Sequence, residues 1–241
     1  DARRFLHSQL TQDIESLAPG QVRLAGWCSA KGRLLVTFWV WAGEGDEVFL
    51  ACSAGLLPQV LKRLTMFVLR AQCKLSDASA EWPVWGLVAP HVADAGADAQ
   101  PWTVAGAPGV WTLHLPTAAS PDGRLWSRSL VLGAGPSDAE PCPPEAWAAL
   151  EAASGVARVL PATVEQFVPQ MVNLELVGGV NFRKGCYPGQ EIVARSQYRG
   201  TLKRRAYLLQ TVDATVEAQP GQEVFHSEDP GQPAEIGRAH V

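Results

Sequence analysis

Residues 182–195, FRKGCYPGQEIVAR, place a cysteine, Cys186, inside a glycine-rich turn. Gly185 and Gly189 permit tight or positive-φ backbone, and the proline between them restricts φ. The residues that follow, GQEIVAR, predict a short helix that starts at the second glycine. The stretch therefore predicts a turn whose cysteine lies just before a helix N-terminus.

The surroundings of Cys186 suit a reactive thiol. Arg183 and Lys184 precede it, and both their positive charge and a nearby helix N-terminus favour the thiolate. Such surroundings are typical of a nucleophilic or metal-binding cysteine. The alternative is a small thiol that packs under Tyr187, since most cysteines are inert. No histidine stands close by in the sequence to complete a catalytic dyad, so spacing alone leaves both interpretations open.

Positive charge gathers around this motif in a chain whose net charge is −4. Between residues 183 and 205 a single acidic residue, Glu191, accompanies seven basic ones. These are Arg183, Lys184, Arg195, Arg199, Lys203, Arg204 and Arg205. The cluster predicts local binding of an anion, with a solvated surface as the alternative. Few aromatic residues are interleaved with it, so a nucleic-acid groove is less favoured.

The composition indicates a globular chain with a substantial core. Hydrophobic residues make up 47% and charged residues 18% of the 241 residues, which argues against disorder. No apolar run approaches the roughly 18 residues that a membrane span needs. Five cysteines at irregular spacing, without a CxxC pair, favour free thiols in a reducing, cytoplasmic compartment over zinc sites or disulfides.

The periodicity of apolar residues predicts an α+β fold. Helical spacing occurs in DARRFLHSQLTQDIESL, GLLPQVLKRLTMFVL and a segment that opens near Pro144. Strand patterns occupy VRLAGWCSAKGRLLVTFWVWAGEGDEVFLAC, with turns at AKGR and AGEGDE, and shorter pieces such as WPVWGLVA and VWTLHL. Residues 133–146 predict a loop, and TLKRRAYLLQTVD and the residues after it predict strands. Because the chain starts at Asp1 and stops in an alternating run, AEIGRAHV, we expect it to extend at both ends.

The segment KGCYPGQE resembles the K-G-C-[YF]-x-G-Q-E signature of the YgfZ family, folate-binding relatives of the glycine cleavage T-protein (aminomethyltransferase). Other segments resemble the family in the same order. They are DARRFLHSQLTQDI, CSAKGRLL, WAALEAASGVARV and FVPQMVNLELVGGVNF. The resemblance covers nearly the whole chain, although residues 45–140 match only in pattern.

The resemblance implies a three-domain ring around a central cavity that holds tetrahydrofolate. A folate-binding α+β domain is expected to combine residues 1–42 and 145–200. A ferredoxin-like α+β domain with a loop is expected at residues 43–144. Residues 201–241 are expected to form part of a β-barrel, apparently truncated.

The resemblance also implies a set of folate-binding residues. Glu151 matches the carboxylate that faces the pterin, where two parallel hydrogen bonds from the amino group and a ring N–H suit a carboxylate. An exposed helix glutamate is the alternative. Asn173 lies where the family has a folate-proximal loop. Arg195 and Arg199 are expected to bind the glutamate tail of folate or another anion.

Within the motif itself, Cys186 and Lys184 are the residues expected to carry chemistry. No resident metal is expected, although transient iron at Cys186 is compatible with the motif. The neighbouring residues are expected to shape the turn rather than to contact a ligand. They are Gly185, Tyr187, Gly189, Gln190 and Glu191.

The chain departs from the T-protein at two places. T-proteins carry a catalytic aspartate in a G-G-I-x-D-D pattern after the hairpin glycines, where this chain has Val36 and Thr37. Neither side chain can act as a general base. The corresponding T-protein turn, D-F-I-G, also lacks the cysteine found here at Cys186. These departures argue against glycine-cleavage chemistry.

Three functions are compatible with these features. The first is a tetrahydrofolate-binding factor that supports assembly or repair of iron–sulfur enzymes, including radical-SAM enzymes that thiolate tRNA. The second is a folate-dependent aminomethyl- or methyltransferase, and the third is a non-catalytic folate-binding module. The first implies iron–sulfur clients or assembly proteins as partners, a monomer, and no direct contact with nucleic acid or membrane.

Overall fold

The computed structural model describes residues 1–92, 100–107, 109–200, 204–209, 219–227 and 229–238. Its helices are α1 (Ala2–Gln9), α2 (Leu57–Thr65), α3 (Pro144–Ala153) and α4 (Gln190–Tyr198). Its strands are β1 (Val22–Cys28), β2 (Leu34–Ala42), β3 (Val48–Ala51), β4 (Val84–Pro90), β5 (Thr103–Ala107), β6 (Val110–Ala119), β7 (Leu125–Gly133), β8 (Glu223–His226) and β9 (Asp229–Arg238). The fold is mixed α and β with antiparallel sheets. Within the described residues no helix is long and apolar enough to cross a membrane.

The first sheet has the strand order β1-β2-β3 and confirms the two predicted hairpins. In the AKGR turn the Ser29 N–H donates to the Arg33 carbonyl and the Gly32 N–H donates to the Ser29 carbonyl, each over 2.8 Å. β2 is buried along its whole length. Its continuous apolar run, LLVTFWVWA, explains this burial, because a strand covered on both faces has no polar side.

The second sheet has the strand order β4-β7-β6-β5. The predicted strands WPVWGLVA and VWTLHL correspond to β4 and β6. α3 packs against this sheet through Trp147, whose ring lies so close to Gly86 of β4 that a Cβ there would be 2.7 Å away. The sheet joins the first one through the Val22 N–H, which donates to the Trp102 carbonyl over 2.8 Å.

The first helix is shorter than its apolar spacing predicts. Leu10 leaves the helical region at φ −99° and ψ 157° and forms a bridge with Trp27 of β1. The next residue holds the chain in this extended path, because the Thr11 hydroxyl donates to the Gly179 carbonyl over 2.6 Å and accepts from the Gly26 N–H over 2.7 Å. Long-range hydrogen bonds therefore override the local helical pattern.

Residues from the region after α3 pack against β2. The Leu34 N–H donates to the Phe167 carbonyl and the Glu165 N–H donates to the Leu34 carbonyl, each over 2.8 Å. The Val159 N–H donates to the Thr37 hydroxyl over 3.1 Å. The first sheet continues into β3, beyond residue 42. The three-domain division stays a prediction.

The last strands, β8 and β9, form a two-stranded antiparallel sheet. Strands were expected in this part of the chain, and the sheet confirms them. The strand predicted in TLKRRAYLLQTVD lies partly outside the described residues. Its described part, residues 204–209, is in neither helix nor strand, so that prediction is wrong there.

Candidate functional site

A cavity of about 1000 Å³ lies between the two sheets and is flanked by α1, α2 and α3. Apolar side chains from all of these elements form much of its wall. They include Leu6 from α1, Trp39 and Trp41 from β2, Leu64 from α2, Leu130 and Leu132 from β7, and Trp147 from α3. A volume of this size accommodates a cofactor-sized molecule.

Aromatic rings give this cavity a surface suited to planar ligands. Trp41 stacks on Phe49 with ring centroids 5.3 Å apart. The indole N–H groups of Trp39 and Trp41 are buried and have no hydrogen-bond partner among the described residues. Buried indoles usually find an acceptor, so the two free donors fit a ligand that carries acceptors.

Glu151 is the acidic group that α3 brings to the cavity wall, and it is only 9% exposed. Its Oε2 accepts a hydrogen bond from Arg158 Nη2 over 2.7 Å. Its Oε1 is buried without a partner in the described structure. Burial raises the pKa of Glu151, and the charges of Arg158 and Arg128 offset part of that rise. Oε1 is therefore an acceptor that has no donor among the described residues.

Arg128 is a buried cation that the sequence analysis did not identify. It lies on β7, is 2% exposed, and shares a narrow cleft with Trp39 and Glu151. Its guanidinium carbon is 4.9 Å from the centroid of the Trp147 ring. Its Nε and Nη1 have no partner among the described residues. The sequence signal for Arg128 was its position two residues before Leu130. Alternate residues of a strand lie on one face, so this arginine places a charge on an apolar face.

Val36 and Thr37, which occupy the place of the T-protein acid, both lie inside the core. Val36 is fully buried. The Thr37 hydroxyl accepts from the Val159 N–H over 3.1 Å. Neither residue lines the cavity. The structure gives both of them a packing or backbone-binding role.

In the cysteine turn, Lys184 binds α1 rather than projecting into solvent. Its Nζ donates to the carbonyls of His7 and, over 2.7 Å, of Leu10. It also lies 4.8 Å from the centroid of the Tyr187 ring. Burial lowers the pKa of Lys184 to about 8, against the attraction of Asp13 and other nearby acidic groups. An ammonium at a helix C-terminus stabilises that end of the helix.

Gly189 joins the cysteine turn to the AKGR turn of the first sheet. It has φ +79° and is the N-cap of α4. A Cβ at this position would lie 2.4 Å from the Ser29 carbonyl oxygen and 2.6 Å from the Cα of Gly32. Only glycine fits both the backbone conformation and the space. Gly185, by contrast, is outside the left-handed region.

The other turn residues are less constrained. Tyr187 is buried, whereas Cys186 is exposed, and all five cysteines are free thiols. The side chains of Gln190 and Glu191 make no hydrogen bond within the described part of the chain, although the Gln190 N–H donates to the Tyr187 carbonyl over 3.2 Å. Within the described ranges, no group of three or more His, Cys, Asp or Glu residues is placed to hold a metal ion.

Asn181 was missed by the sequence analysis, although it organises the start of this turn. Its Oδ1 accepts the N–H groups of Arg183, over 2.8 Å, and Lys184, over 3.2 Å. An asparagine two residues before a turn is the sequence signal for such a motif. The backbone around Cys186 is therefore fixed from both sides.

The remaining predicted folate-binding residues lie apart from Glu151. Asn173 Nδ2 donates to the Ala206 carbonyl over 2.9 Å and its Oδ1 accepts from Arg205 over 3.1 Å. Arg195 and Arg199 are exposed at the end of α4. None of these three residues, nor Cys186, lines the cavity. The structure thus brings Glu151 to the cavity but not its predicted companions.

Known proteins resemble this chain in sequence, although no family model matches it. An uncharacterised protein of Haemophilus influenzae is 26% identical over 225 residues, which cover 93% of this chain and 72% of that protein. The tRNA-modifying protein YgfZ of Edwardsiella ictaluri is 31% identical over 87% of this chain and 66% of its own length. That of Vibrio vulnificus is 31% identical over 87% and 64%. The chain spans about two thirds of the length of these relatives.

The architecture is shared with a solved structure of known name. The glycine cleavage system aminomethyltransferase T of Bartonella henselae superposes with a TM-score of 0.63 and 16% sequence identity. The match covers 83% of this chain and 59% of that one. At this identity the likeness concerns the fold alone. The mixed α/β arrangement with antiparallel sheets is that of a T-protein.

Proposed function

The chain belongs to the YgfZ family and has a T-protein-like fold, and from this premise we propose that it binds tetrahydrofolate in the cavity beside Glu151. The observation that carries the proposal is the free Oε1 of Glu151, buried at the wall of a cavity of about 1000 Å³. A buried carboxylate oxygen without a donor costs free energy. A ligand N–H at this position removes that cost.

The chemistry of a pterin fits the free groups of the cavity. Its amino group and adjacent ring N–H form a flat edge of two donors, and a carboxylate accepts both in parallel. Its ring carries acceptors, which suit the free indole N–H groups of Trp39 and Trp41. Its planar face suits a cavity with several aromatic side chains. When bound, tetrahydrofolate supplies the capacity to carry a one-carbon unit.

We assign Cys186 as the functional thiol of a factor that supports assembly or repair of iron–sulfur enzymes, including those that thiolate tRNA. Support comes from the exposure of its thiol and from the name of the relatives, tRNA-modifying protein YgfZ. The thiol would ligate iron transiently, accept a one-carbon unit or exchange sulfur. Lys184 supports this role by its charge close to the thiol, while its Nζ holds α1.

The proposal extends to the organisation and setting of the protein. The family resemblance implies a three-domain ring. Its folate domain would combine residues 1–42 and 145–200, followed by a ferredoxin-like middle domain and a final β-barrel. Asn173, Arg195 and Arg199 would then bind the tail of the ligand outside the cavity described above. The proposed setting is the cytoplasm, which fits the free thiols, and the proposed partners of the monomer are iron–sulfur clients.

An aminomethyltransferase is the weaker candidate. That chemistry needs an acidic group to position the folate amine, and the buried Val36 and hydrogen-bonded Thr37 provide none. No other acidic residue lies beside them on β2. Production of methylene-tetrahydrofolate from an aminomethyl donor by the purified protein would revive this reading.

Isothermal titration with tetrahydrofolate tests the proposal. In Glu151→Gln an NH₂ group replaces one acceptor oxygen and faces a donor of the ligand. We therefore expect the binding free energy to weaken by about 2.7 kcal/mol, which raises Kd roughly 100-fold. Glu145→Gln is the matched control, because Glu145 lies exposed on the same helix, and we expect it to bind like wild type. Equal Kd values for all three proteins would remove Glu151 from the site, and absence of binding to wild type would refute the folate proposal.

A further inference from the structure

The cavity beside Glu151 is lined by more acidic than basic side chains. Glu151 forms an ion pair with Arg158 over 2.7 Å, and Lys74 is the other basic residue of the described wall. The remaining acidic residues of the wall form no ion pair within the described part of the chain. They are Asp1, Asp46, Glu47, Asp77 and Glu81. The cavity therefore has an excess of negative charge, which Lys74 offsets only in part.

The potential of these carboxylates reaches the interior of the cavity. Asp77 is exposed, and hydrogen bonds from Ser79, whose backbone N–H donates to Oδ1 over 2.9 Å, lower the pKa of Asp77 and keep it ionised. Cys52 lines the same cavity. Burial raises the pKa of Cys52 to about 11, and the charge of Asp77 adds to that rise. A cleft lined by charges of one sign concentrates their potential, so this wall favours a cation.

Aromatic rings beside the acidic residues add to this preference. Trp41 stacks on Phe49 with ring centroids 5.3 Å apart, and Phe49 meets Trp82 edge to face over 5.8 Å. All three rings line the cavity. Glu47 lies two residues before Phe49, and Glu81 directly precedes Trp82. Aromatic faces attract cations, those of tryptophan most strongly, so one part of the wall offers both carboxylates and rings.

Glu151 is the independent indication of a ligand in this cavity and sets the direction of the proposed one. Its side chain is 9% exposed, and its Oε1 has no partner among the described residues. In the proposed function this carboxylate accepts the donor edge of the pterin. The atoms that carry the one-carbon unit, N5 and N10, lie on the side of the pteridine away from that edge. The unit would therefore meet the other side chains of the wall rather than Glu151.

We propose that the cavity prefers the cationic one-carbon form of its ligand, 5,10-methenyl-tetrahydrofolate, over forms whose one-carbon unit is neutral. The inference rests on the proposed function and deepens it by naming the form of the ligand. In the methenyl form the carbon joins N5 and N10 as an amidinium, which carries a delocalised positive charge. In 5-formyl-tetrahydrofolate the carbon has the same oxidation level but no charge. At low salt we expect the methenyl form to bind roughly tenfold more tightly.

Isothermal titration with these two ligands tests the preference, and the absorbance of the bridged ring system shows that the methenyl form stays intact. The ligands also differ in shape, so the effect of the wall charges is read from the change of the Kd ratio in a variant. We expect the double variant Glu47→Gln and Glu81→Gln to reduce the ratio to about twofold or threefold. Glu140→Gln with Glu145→Gln is the matched control. It removes two charges at exposed positions that do not line the cavity, and we expect it to keep the wild-type ratio.

The outcomes separate this inference from the proposed function. If wild type binds both ligands with similar Kd, or if the cavity variant keeps the wild-type ratio, the inference is wrong while folate binding stands. An equal fall of the ratio in the control variant also refutes it, because only the net charge of the protein would then matter. If wild type binds neither ligand, the proposed function fails and the inference falls with it. Both substituted residues of the cavity variant are exposed, so we expect this variant to fold like wild type.

Discussion

The cavity wall and the cysteine turn differ in whether their polar side chains have hydrogen-bond partners. In the turn, Lys184 and Asn181 use their side chains to hold α1 and the backbone. In the cavity wall, Glu151, Trp39 and Trp41 keep buried polar atoms without a partner among the described residues. Satisfied groups stabilise a fold, whereas an unsatisfied buried group is explained by strain, a catalytic role, or a bound water, ion or ligand. The cysteine turn, which has the more specific sequence motif, therefore stabilises the fold. The cavity wall, which has the weaker sequence signal, has the polar groups to which a ligand would bind.

The largest effect is expected in the turn, from Gly189→Ala. The new Cβ would meet backbone atoms of Ser29 and Gly32 at 2.4 to 2.6 Å and would also be strained at positive φ. We expect the free energy of unfolding to fall by about 3 kcal/mol or more. Gly178→Ala is the control, because Gly178 has φ +80° but no neighbour within 4 Å. Urea denaturation measures both, and equal losses would show that the close packing of the two turns contributes nothing.

The next effect also belongs to the turn. Lys184→Met keeps the apolar stem but removes the ammonium that binds the carbonyls of His7 and Leu10. We expect a loss of about 2 kcal/mol in the free energy of unfolding, because two carbonyls at the end of α1 lose their donor. Lys31→Met, at an exposed position, should change it by less than about 0.5 kcal/mol. A Lys184→Met variant as stable as wild type would contradict a structural role.

The cavity wall should respond to pH. Burial raises the pKa of Glu151 above the usual 4.5, so its carboxylate protonates at a higher pH than an exposed one. We expect the affinity for tetrahydrofolate to weaken as the pH is lowered from neutral into the acidic range, because a protonated carboxyl no longer accepts two hydrogen bonds. In the ligand-free protein, the free energy of unfolding has the opposite pH dependence. The folded state binds the Glu151 proton more tightly than the unfolded state does, so stability is lost as pH rises through the raised pKa.

Titrations of wild type and Glu151→Gln across this range check the pH effect. The ligand's own protonation affects both proteins, so only the difference between their profiles belongs to Glu151. A constant difference would show that Glu151 does not titrate in the site. Thermal unfolding of both proteins over the same range checks the sign for the ligand-free state.

The smallest effect on stability is expected at Cys186. Because the residue is exposed, Cys186→Ala should change the free energy of unfolding by less than about 0.5 kcal/mol and leave the Kd for tetrahydrofolate unchanged. Its thiol should be alkylated faster than that of Cys142, which is also exposed but stands between Glu140 and Glu145 rather than beside a lysine. Cys28 should react slowest, because burial raises its pKa to about 12. Mass spectrometry of alkylated peptides measures these rates, and equal rates for Cys186 and Cys142 would weaken the case for a functional thiol.

Local patterns in the sequence predicted most of the elements but not their tertiary partners. Apolar periodicity identified α2, α3 and the first sheet, since these segments bury one continuous set of side chains. It overextended α1, because the hydrogen bonds of Thr11 come from residues 26 and 179. Such long-range bonds leave no local signal. Asn181 is different, because its hydrogen bonds to the N–H groups of Arg183 and Lys184 are local and its position before the turn was an available signal.

The candidate site was only partly accessible to sequence reasoning. Glu151 was identified through a family resemblance, and the structure places it at the cavity. Arg128 was missed, because a single arginine in a strand is usually exposed and only burial of its neighbours reveals otherwise. Asn173, Arg195 and Arg199 were grouped with Glu151 by resemblance. Their distance from the cavity could be seen only once the elements were assembled.

A crystal structure of the protein with tetrahydrofolate tests the central claim most directly. The account predicts the pterin in the cavity, with its amino and ring N–H groups about 3 Å from the Glu151 carboxylate. The Oε1 that lacks a partner would then accept one of these hydrogen bonds. A pterin bound beside Cys186 or against Arg195 and Arg199, with Oε1 still unpartnered, would contradict the account.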